Sequence, residues 1–285
     1  MLRTAGELKG VTIQATDGGD IGSVQDLYFD DHSWTVRYLV VDTGTWLPGR
    51  QALISPFAFR AVSGAARLQT TLTKDQIETS PSIDTDRPVN RQREIEYSRY
   101  YGYPYYWVGP YRWGEVAYPS TPDLAYAGVP VTPLQPSKVE EEMLARERES
   151  VNPNLRSARD VMGYYIQATD GDLGHVEDFL VDDETWAIRY IIVDTRNWLP
   201  GRKVLISPEW IQRVSWKDSK VYVDLSKRHI EGGPEFDSSI SSMPLAREHE
   251  ERLYDHLGRP KYWEREPRRK PEGKDKWQDS RSKKS

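Results

Sequence analysis

The stretch VDTGTWLPGRQALISP occupies residues 41–56, and VDTRNWLPGRKVLISP occupies residues 193–208, so one pattern occurs twice, 152 positions apart. Two hypotheses account for the repetition. An active-site loop was duplicated, or the fold needs this element once in each copy. The residues on either side of the pattern favour the second hypothesis.

The repeat extends well beyond the two loops. LRTAGELKGVTIQATDGGDIGSVQDLYFDD from Leu2 matches LRSARDVMGYYIQATDGDLGHVEDFLVDD from Leu155, and 23 of 44 positions are identical between 19–62 and 171–214. LTKDQIETSP at 72–81 also resembles LSKRHIEGGP at 225–234. Each copy is about 80 residues long, far longer than a solenoid repeat, so the sequence indicates a domain duplication.

Short apolar and β-branched runs between turn residues predict strands within each copy. TWAIRYIIVD is apolar on both faces, as a central buried strand would be, and KVYVDL alternates as a half-buried strand does. Thr4 to Glu7 and Ser157 to Asp160 have helix N-cap spacing, and Thr73 to Gln76 matches a capping box. In the second copy we predict strands near 163–168, 174–182, 186–194, 203–207, 210–216 and 220–225.

Six short strands in 80 residues are too few for a large two-sheet sandwich. A small closed or nearly closed barrel leaves the fewest exposed strand edges. We therefore expect a mainly β protein with two tandem small β-barrels and short flanking helices, the barrels packing as a pseudo-twofold pair. The predicted bounds are 1–83 and 152–238 for the barrels, 84–151 for a linker with a short charged helix, and 239–285 for a helix and a disordered basic tail.

Composition agrees with small domains joined by polar segments. The chain has 285 residues, 37% of them hydrophobic, a net charge of −5 and no cysteine, which excludes disulfides and thiolate metal sites. The charges are uneven, because residues 1–80 carry −2, residues 152–238 carry −4, and residues 259–285 carry +6. No segment has the length of a signal peptide core or of a membrane span, so we expect a soluble, cytoplasmic protein.

The motifs LRSA, DG.LG.VED, DD.TW.IRY and VVDT..WLPGR.VLISP together resemble the PRC-barrel family, and the resemblance covers both copies. That family includes the cytoplasmic domain of the photosynthetic reaction-centre H subunit and the C-terminal domain of a ribosome maturation factor. The resemblance implies a small β-barrel that binds and docks other proteins without catalytic residues of its own. It makes a membrane-associated electron-transfer complex one candidate partner.

Residues 84–136 differ in composition from both copies, because tyrosine and tryptophan are dense among glycine and proline. We favour rings that pack against the barrels and tether them. A segment that contacts a protein partner or self-associates is the next hypothesis, and stacking of single-stranded nucleic acid is the least favoured. The candidate partner-binding residues are Tyr103, Tyr105, Tyr106, Trp107 and Trp113.

Two charged segments are predicted to be helical. SKVEEEMLARERES at 137–150 begins with a capping box, and PLAREHEERLYDHLGRP should end at Gly258. The apolar stripe of the second helix (Leu245, Leu253, Leu257) is thin, so we expect weak docking or a role in binding something else. The basic tail could attract RNA or anionic lipid, but a solvating role is favoured.

The repeated loop is the first candidate for enzyme chemistry, with an aspartate as the acid and an arginine as the anion-binding cation. A strand that ends at the aspartate, a Pro-Gly turn and a second strand explain the spacing better, because proline presets φ and glycine tolerates positive φ. The tryptophan would cover the barrel end and the arginine would pair with the aspartate. This structural motif comprises Asp42, Trp46, Pro48, Gly49 and Arg50 in the first copy and Asp194, Trp198, Pro200, Gly201 and Arg202 in the second.

The sequence gives little support for metal binding or for catalysis elsewhere in the chain. ATDGGD and ATDGD lack the terminal glutamate of a calcium loop, and Asp30-Asp31 and Asp182-Asp183 fit hairpin turns. The two copies share none of the five histidines, and no spacing matches a zinc ligand set. We therefore expect no cofactor, no metal and no catalytic residue. The predicted function is a non-enzymatic scaffold for a protein partner, a homodimer being left open, and the alternative is an RNA- or ribosome-associated factor that uses the basic tail.

Overall fold

The computed structural model places two repeats of the same β architecture in one chain. It describes residues 1–59, 67–81, 89, 91–119, 155–195, 199, 202–236 and 247–266. The predicted helix at 137–150 and most of the basic tail lie outside these residues.

The helices and strands follow one another in almost the same order in the two repeats. The first repeat contains β1 Leu2–Thr4, α1 Ala5–Leu8, β2 Thr12–Gln14, β3 Asp20–Asp30, β4 Thr35–Asp42, β5 Gln51–Ile54, β6 Arg67–Gln69, α2 Lys74–Glu78 and α3 Arg91–Tyr101. The second contains β7 Leu155–Ser157, α4 Ala158–Val161, β8 Tyr165–Ala168, β9 Gly171–Asp182, β10 Ile188–Asp194, β11 Lys203–Ile206, β12 Ile211–Ser215, β13 Lys220–Val223, α5 Lys227–Glu231, α6 Arg247–Leu257 and α7 Tyr262–Arg265. The mainly β class and the six strands predicted for the second copy are confirmed.

Each repeat forms one sheet with a parallel pair near one end. The order is β5-β4-β3-β2-β6 in the first repeat and β11-β10-β9-β8-β13-β12 in the second. The β2–β6 and β8–β13 pairs are parallel, and the other pairs are antiparallel. Within the described residues no ladder of strands joins the two ends of either path, but in the first repeat an isolated bridge between Phe59 and Thr70 connects the segment after β5 with the residue after β6.

The core follows the alternation predicted from the sequence. The central strand β10 is buried along its whole length, and Val221 and Val223 of β13 are buried while Tyr222 between them is half-buried. Gly22 and Gly174 let the sheets bend, because a Cβ atom would lie 1.9 Å from the carbonyl oxygen of Asp42 and 2.0 Å from that of Asp194. Only glycine allows these two backbones to approach so closely.

The two repeats exchange their first strands. Strand β1 pairs with β9 of the second repeat, with Arg3 opposite Val181, and β7 pairs with β3 of the first repeat, with Arg156 opposite Phe29. Each exchanged strand leads into a one-turn helix whose apolar residues are buried, among them Leu8 and Val161. The first strand of each predicted barrel range therefore completes the sheet of the other range.

Charged contacts fix the exchanged strands in place. The Asp178 carboxylate accepts from the backbone N–H of Gly6 at 3.1 Å, and Asp26 in turn accepts from the backbone N–H of Arg159 at 3.2 Å. A carboxylate at a helix N-terminus satisfies N–H groups that have no partner within the helix. Each repeat thus supplies an additional acceptor for the N-terminus of a helix that belongs, in sequence, to the other repeat.

The predicted hairpin turns at the two Asp-Asp pairs are confirmed, and their second aspartates also hold the exchanged strands. Asp183 accepts from Arg3 at 3.4 Å, and Asp31 accepts from Arg156 at 2.8 Å. The contact is duplicated, as the predicted pseudo-twofold arrangement requires.

A helix and a following turn pack on each repeat. Helix α3 buries Ile95 and Tyr97, and the Tyr97 hydroxyl donates to the carbonyl oxygen of Leu53 at 2.9 Å. Helix α6 ends before Gly258, which has a φ of 61°, as the sequence predicted. Its docking is not weak: Tyr254, which lies outside the predicted apolar stripe, is fully buried. Of the predicted stripe, Leu253 is buried and Leu257 packs partly buried against the core, while Leu245 lies outside the described residues.

Candidate binding cleft between the two repeats

The two long hairpins meet between the repeats. Trp34 and Trp186, at equivalent positions, both adopt the left-handed backbone conformation, with φ of 49° and 58°. The N–H of Val36 donates to the carbonyl oxygen of Trp186, and the N–H of Ile188 donates to that of Trp34, both at 2.8 Å. These reciprocal bonds hold one repeat against the other at a short isolated bridge.

A buried arginine follows each of these tryptophans. Arg37 is 2% exposed and donates to Asp30 at 3.1 Å, and Arg189 is 5% exposed and donates to Asp182 at 2.9 Å. Burial would raise the pKa of both aspartates, but the adjacent guanidinium and the hydrogen bonds outweigh it and lower the pKa. Each hairpin therefore carries an arginine–aspartate ion pair that is largely shielded from water.

An aromatic ring covers each buried arginine and connects it to a buried glutamate. The guanidinium carbon of Arg37 lies 3.7 Å from the Tyr106 ring centroid, and the Tyr106 hydroxyl donates to Glu94 at 2.5 Å. In the second repeat Arg189 lies 4.1 Å from the Tyr262 ring, whose hydroxyl donates to Glu250 at 2.9 Å. Cation–π contacts of this kind gain strength where water is excluded.

A second arginine completes each cluster. Arg91 pairs with Glu94 and Arg247 with Glu250, each at 2.8 Å, and both guanidinium groups also stack on the tryptophan that follows the covering tyrosine. Burial raises the pKa of Glu94 to about 7, although Arg91 and the Tyr106 hydroxyl act in the opposite direction. Burial likewise raises the pKa of Glu250.

The sequence residues of these two clusters form a further repeated motif, which was not recognised from the sequence. The pattern R-x2-E-x7-G-x-P-x-Y-W occurs at 91–107 and again at 247–263, which gives six identical positions in seventeen. The offset is 156 here and 152 in the barrels, so an alignment of the barrels does not reach it. A search of the aromatic segment against the C-terminal helix would have found the signal.

Two further charged residues, Arg112 and Glu266, interrupt the symmetry between the two clusters. Arg112 donates to the carbonyl oxygen of Ser33 at 2.7 Å and to Glu266 at 3.0 Å, and Glu266 also accepts two bonds from Arg189, at 2.7 and 2.6 Å. Burial would raise the pKa of Glu266, but the bonds and charges of Arg189 and Arg112 lower it. Burial lowers the pKa of Arg112, and the charge of Arg189 lowers it further. One carboxylate therefore bridges two arginines from different parts of the chain.

A cleft of about 1100 Å³ lies beside this bridge. Its lining comes mainly from the first hairpin turn, from the segment 106–112 and from the segment 207–216. The cleft is rich in arginine, tyrosine and tryptophan, the residue types that dominate protein interfaces. Its aromatic and cationic lining includes Trp107, Tyr111, Trp216, Arg112, Arg189 and Arg213.

The predicted partner-binding rings lie mostly inside the chain. Tyr103, Tyr105, Tyr106 and Trp113 are each less than a tenth exposed, and Trp113 donates from Nε1 to the carbonyl oxygen of Thr185 at 2.8 Å. This placement supports the favoured hypothesis that the rings tether the barrels. A partner could reach these four rings only by displacing them. Trp107 is half-buried and lines the cleft.

In the first repeat, residues 43–49 form the turn between β4 and β5. Thr43 donates to the carbonyl oxygens of Leu47 and Arg50, at 2.9 and 2.6 Å, and Thr195 makes the same two contacts in the second repeat. In the first repeat Trp46 is half-buried and donates to the carbonyl oxygen of Ile21, while Pro48 and Gly49 are exposed, with a φ of 73° at the glycine.

The arginines of the loop bind helix ends and not the aspartates. Arg50 donates to the carbonyl oxygens of Glu78 and Ser80, and Arg202 donates to those of Glu231 and Gly233. Unpaired carbonyls at a helix C-terminus attract a cation, which is why the predicted Arg–Asp pair does not form among the described residues. Asp42 accepts instead from the N–H of Gly44, whereas Asp194 lies 3.8 Å from His175. Trp198, Pro200 and Gly201 lie outside the described residues.

The described part of the chain contains neither a candidate membrane-spanning helix nor a candidate metal site. None of its helices combines the length and the apolar character that crossing a bilayer requires. No group of three or more histidine, aspartate or glutamate side chains among the same residues is placed to hold a metal ion.

Comparison with known proteins agrees with the architecture. The PRC-barrel domain matches residues 2–77 and 153–230, which together make up more than half of the chain. The chain therefore belongs to the PRC-barrel family, with two tandem copies of the domain. None of the curated proteins compared with it matches.

Proposed function

We propose that this chain is a non-enzymatic binding protein that holds a protein partner in the cleft between its two PRC-barrel repeats. One observation carries the proposal: the cleft lining combines half-exposed aromatic rings with arginines, and Tyr111 in that lining is 50% exposed. Large aromatic side chains left in water at a concave surface are typical of interfaces. PRC-barrel domains generally act as interaction modules.

Buried ion pairs and interlocked hairpins support this proposal over an enzymatic one. The acidic side chains nearest the cleft are already engaged, since Asp30 bonds to Arg37, Asp31 to Arg156 and Glu209 to Arg265. General acid–base chemistry needs a titratable group that can reach a substrate proton. Here the carboxylates serve to fix the walls of the cleft.

Site-specific photo-cross-linking tests the proposal with the full chain. A photoreactive phenylalanine at position 111 should yield a protein adduct in an extract of the native cell. The same residue at position 165 is the matched control, because Tyr165 is a tyrosine, is 57% exposed and does not line the cleft. Absence of any protein adduct specific to position 111 would refute a protein-binding cleft.

The identity of the adduct distinguishes the partner classes. A subunit of a membrane-associated electron-transfer complex would match the partner that the family resemblance suggests. An adduct with a second copy of this chain would indicate a homodimer. RNA recovered from both positions and lost as salt is raised would favour the ribonucleoprotein alternative, because phosphate binding weakens steeply with ionic strength.

A further inference from the structure

In the described part of the chain, the outer edge of strand β12 has no backbone partner. Its residues, Ile211–Ser215, pair with β13 on one side, and no other described segment forms a backbone hydrogen bond to its second side. Every second N–H and C=O group of such a strand points away from the sheet. An edge of this kind is a template for another strand.

Strand β12 lines the cleft. Ile211, Arg213, Val214 and Trp216 belong to the lining, as do residues 109–112. An extended chain laid along β12 would therefore lie in the cleft. Its backbone would bond to β12 while its side chains met the cleft.

One of the five arginines in the cleft lining remains available to a ligand. The other four, Arg37, Arg91, Arg112 and Arg189, are each paired with a carboxylate. Arg213 is exposed and stacks on Tyr222 at 3.4 Å, with no carboxylate bound to it among the described residues. An exposed arginine of this kind can pair with a carboxylate of an acidic ligand.

We propose that the cleft binds an extended acidic segment of the partner protein as an additional strand on β12. Backbone hydrogen bonds to β12 supply affinity, a carboxylate across from Arg213 supplies charge pairing, and apolar side chains on the other face contact Val214 and Trp216. Alternating acidic and apolar residues satisfy both faces at once. This inference rests on the proposed function and names the chemistry of the partner.

Fluorescence anisotropy with a labelled peptide of five Glu-Val pairs tests the inference on the full chain. We expect a Kd on the order of 10–100 μM, and weaker binding by at least about tenfold for a Lys-Val peptide of equal length. Arg213→Glu should weaken the Glu-Val peptide at least about tenfold. Arg159→Glu is the matched control, since Arg159 is exposed and remote from the cleft, and should change the Kd less than about twofold.

Two methylated peptides separate strand addition from simple charge attraction. One carries N-methyl groups on every valine and the other on every glutamate. Because an added strand bonds to β12 through alternate residues, one peptide should lose at least about tenfold in affinity and the other should retain it. Equal affinities of the two methylated peptides would exclude an added strand.

The cross-linking experiment tests the proposed function, and the peptide experiment tests the acidic strand, so either proposal can be refuted without the other. If position 111 captures a protein but the Glu-Val peptide does not bind at about 1 mM, the acidic strand is refuted and the proposed function stands. If the peptide binds as expected and position 111 captures no protein, the proposed function is refuted while the acidic-strand chemistry of the cleft stands. Binding of an RNA oligonucleotide that displaces the peptide would overturn the assignment of a protein segment to this site.

Discussion

At the scale of single residues, the buried glutamates are the groups most sensitive to their surroundings. Glu94 is 2% exposed and contacts Arg91, Tyr38 and Tyr106, so its charge is held in a site that excludes water. A carboxyl group that is more easily protonated in the folded chain than in the unfolded chain makes stability depend on pH.

Glu94→Gln tests this dependence. The pKa of Glu94 is about 7 in the fold and 4.5 as an isolated group, so its favourable contribution is full below about pH 4.5 and is lost as pH rises to about 7. From pH 5 to pH 8 the native chain should lose about 2 kcal/mol more of its free energy of unfolding than the Glu94→Gln variant loses. Urea denaturation at both pH values measures this, and Glu96→Gln, on the exposed face of the same helix, is the control. Equal losses in all three proteins would contradict the assignment.

Gly174→Ala tests the close approach of β9 and the end of β10. A Cβ atom at this position would lie 2.0 Å from the carbonyl oxygen of Asp194, which is backbone and cannot rotate away. We expect a loss of about 2–4 kcal/mol in the free energy of unfolding, because the strands must separate. A change in the urea midpoint equivalent to less than about 0.5 kcal/mol would show that the backbone relaxes without cost.

At the scale of elements, the exchanged strands are the unusual feature. Deleting residues 1–8 removes β1 and α1, and therefore uncovers the end of β9 in the second repeat. We expect amide hydrogen exchange to increase most at Leu180–Asp182, 150 or more positions from the deletion, and less at the equivalent end of β3. Faster exchange confined to residues 28–30 would show that β1 pairs within its own repeat in solution.

The elements could be predicted from sequence, but their partners could not. Strand and turn positions follow from the period of apolar residues, and this local signal is present in TWAIRYIIVD and KVYVDL. The exchange has no such signal, because LRT and LRS are almost the same sequence and would fit either sheet. The cleft was missed for a related reason: its walls come from segments about 100 residues apart, and only folding brings them together.

Residue types alone do not decide between two roles that share one composition. Aromatic density at 97–118 is compatible with partner contacts and with tethering, and only the burial of Trp113 and its neighbours distinguishes them. The arginine of the repeated loop was assigned to the nearest aspartate, whereas the carbonyl groups at a helix end lie closer in space. Three-dimensional proximity decides such pairings, and sequence distance does not.

At the scale of the whole molecule, the repeats are interlocked rather than placed side by side. Strand pairing in both directions, the hairpin bridge and the Glu266 contacts all connect the two repeats. Such a pair has no separable halves, because each sheet lacks a strand when the other repeat is removed.

A protease site introduced between residues 120 and 154 tests the interlocking. After cleavage the two fragments should elute together in gel filtration at the position of the intact chain, and separate only in denaturant. The uncleaved protein with the same insertion is the control. Elution of two separate fragments at micromolar concentration would contradict the exchange.

The reciprocal exchange also constrains how this chain can evolve. In most tandem duplications the copies diverge independently, since each core is built from its own residues. Here a substitution in the first eight residues is accepted or rejected by a sheet encoded more than 150 codons downstream, and the reverse holds for Leu155–Val161. Selection therefore acts on pairs of distant positions, and the two copies must retain matching strands and acceptor edges for as long as they share one chain.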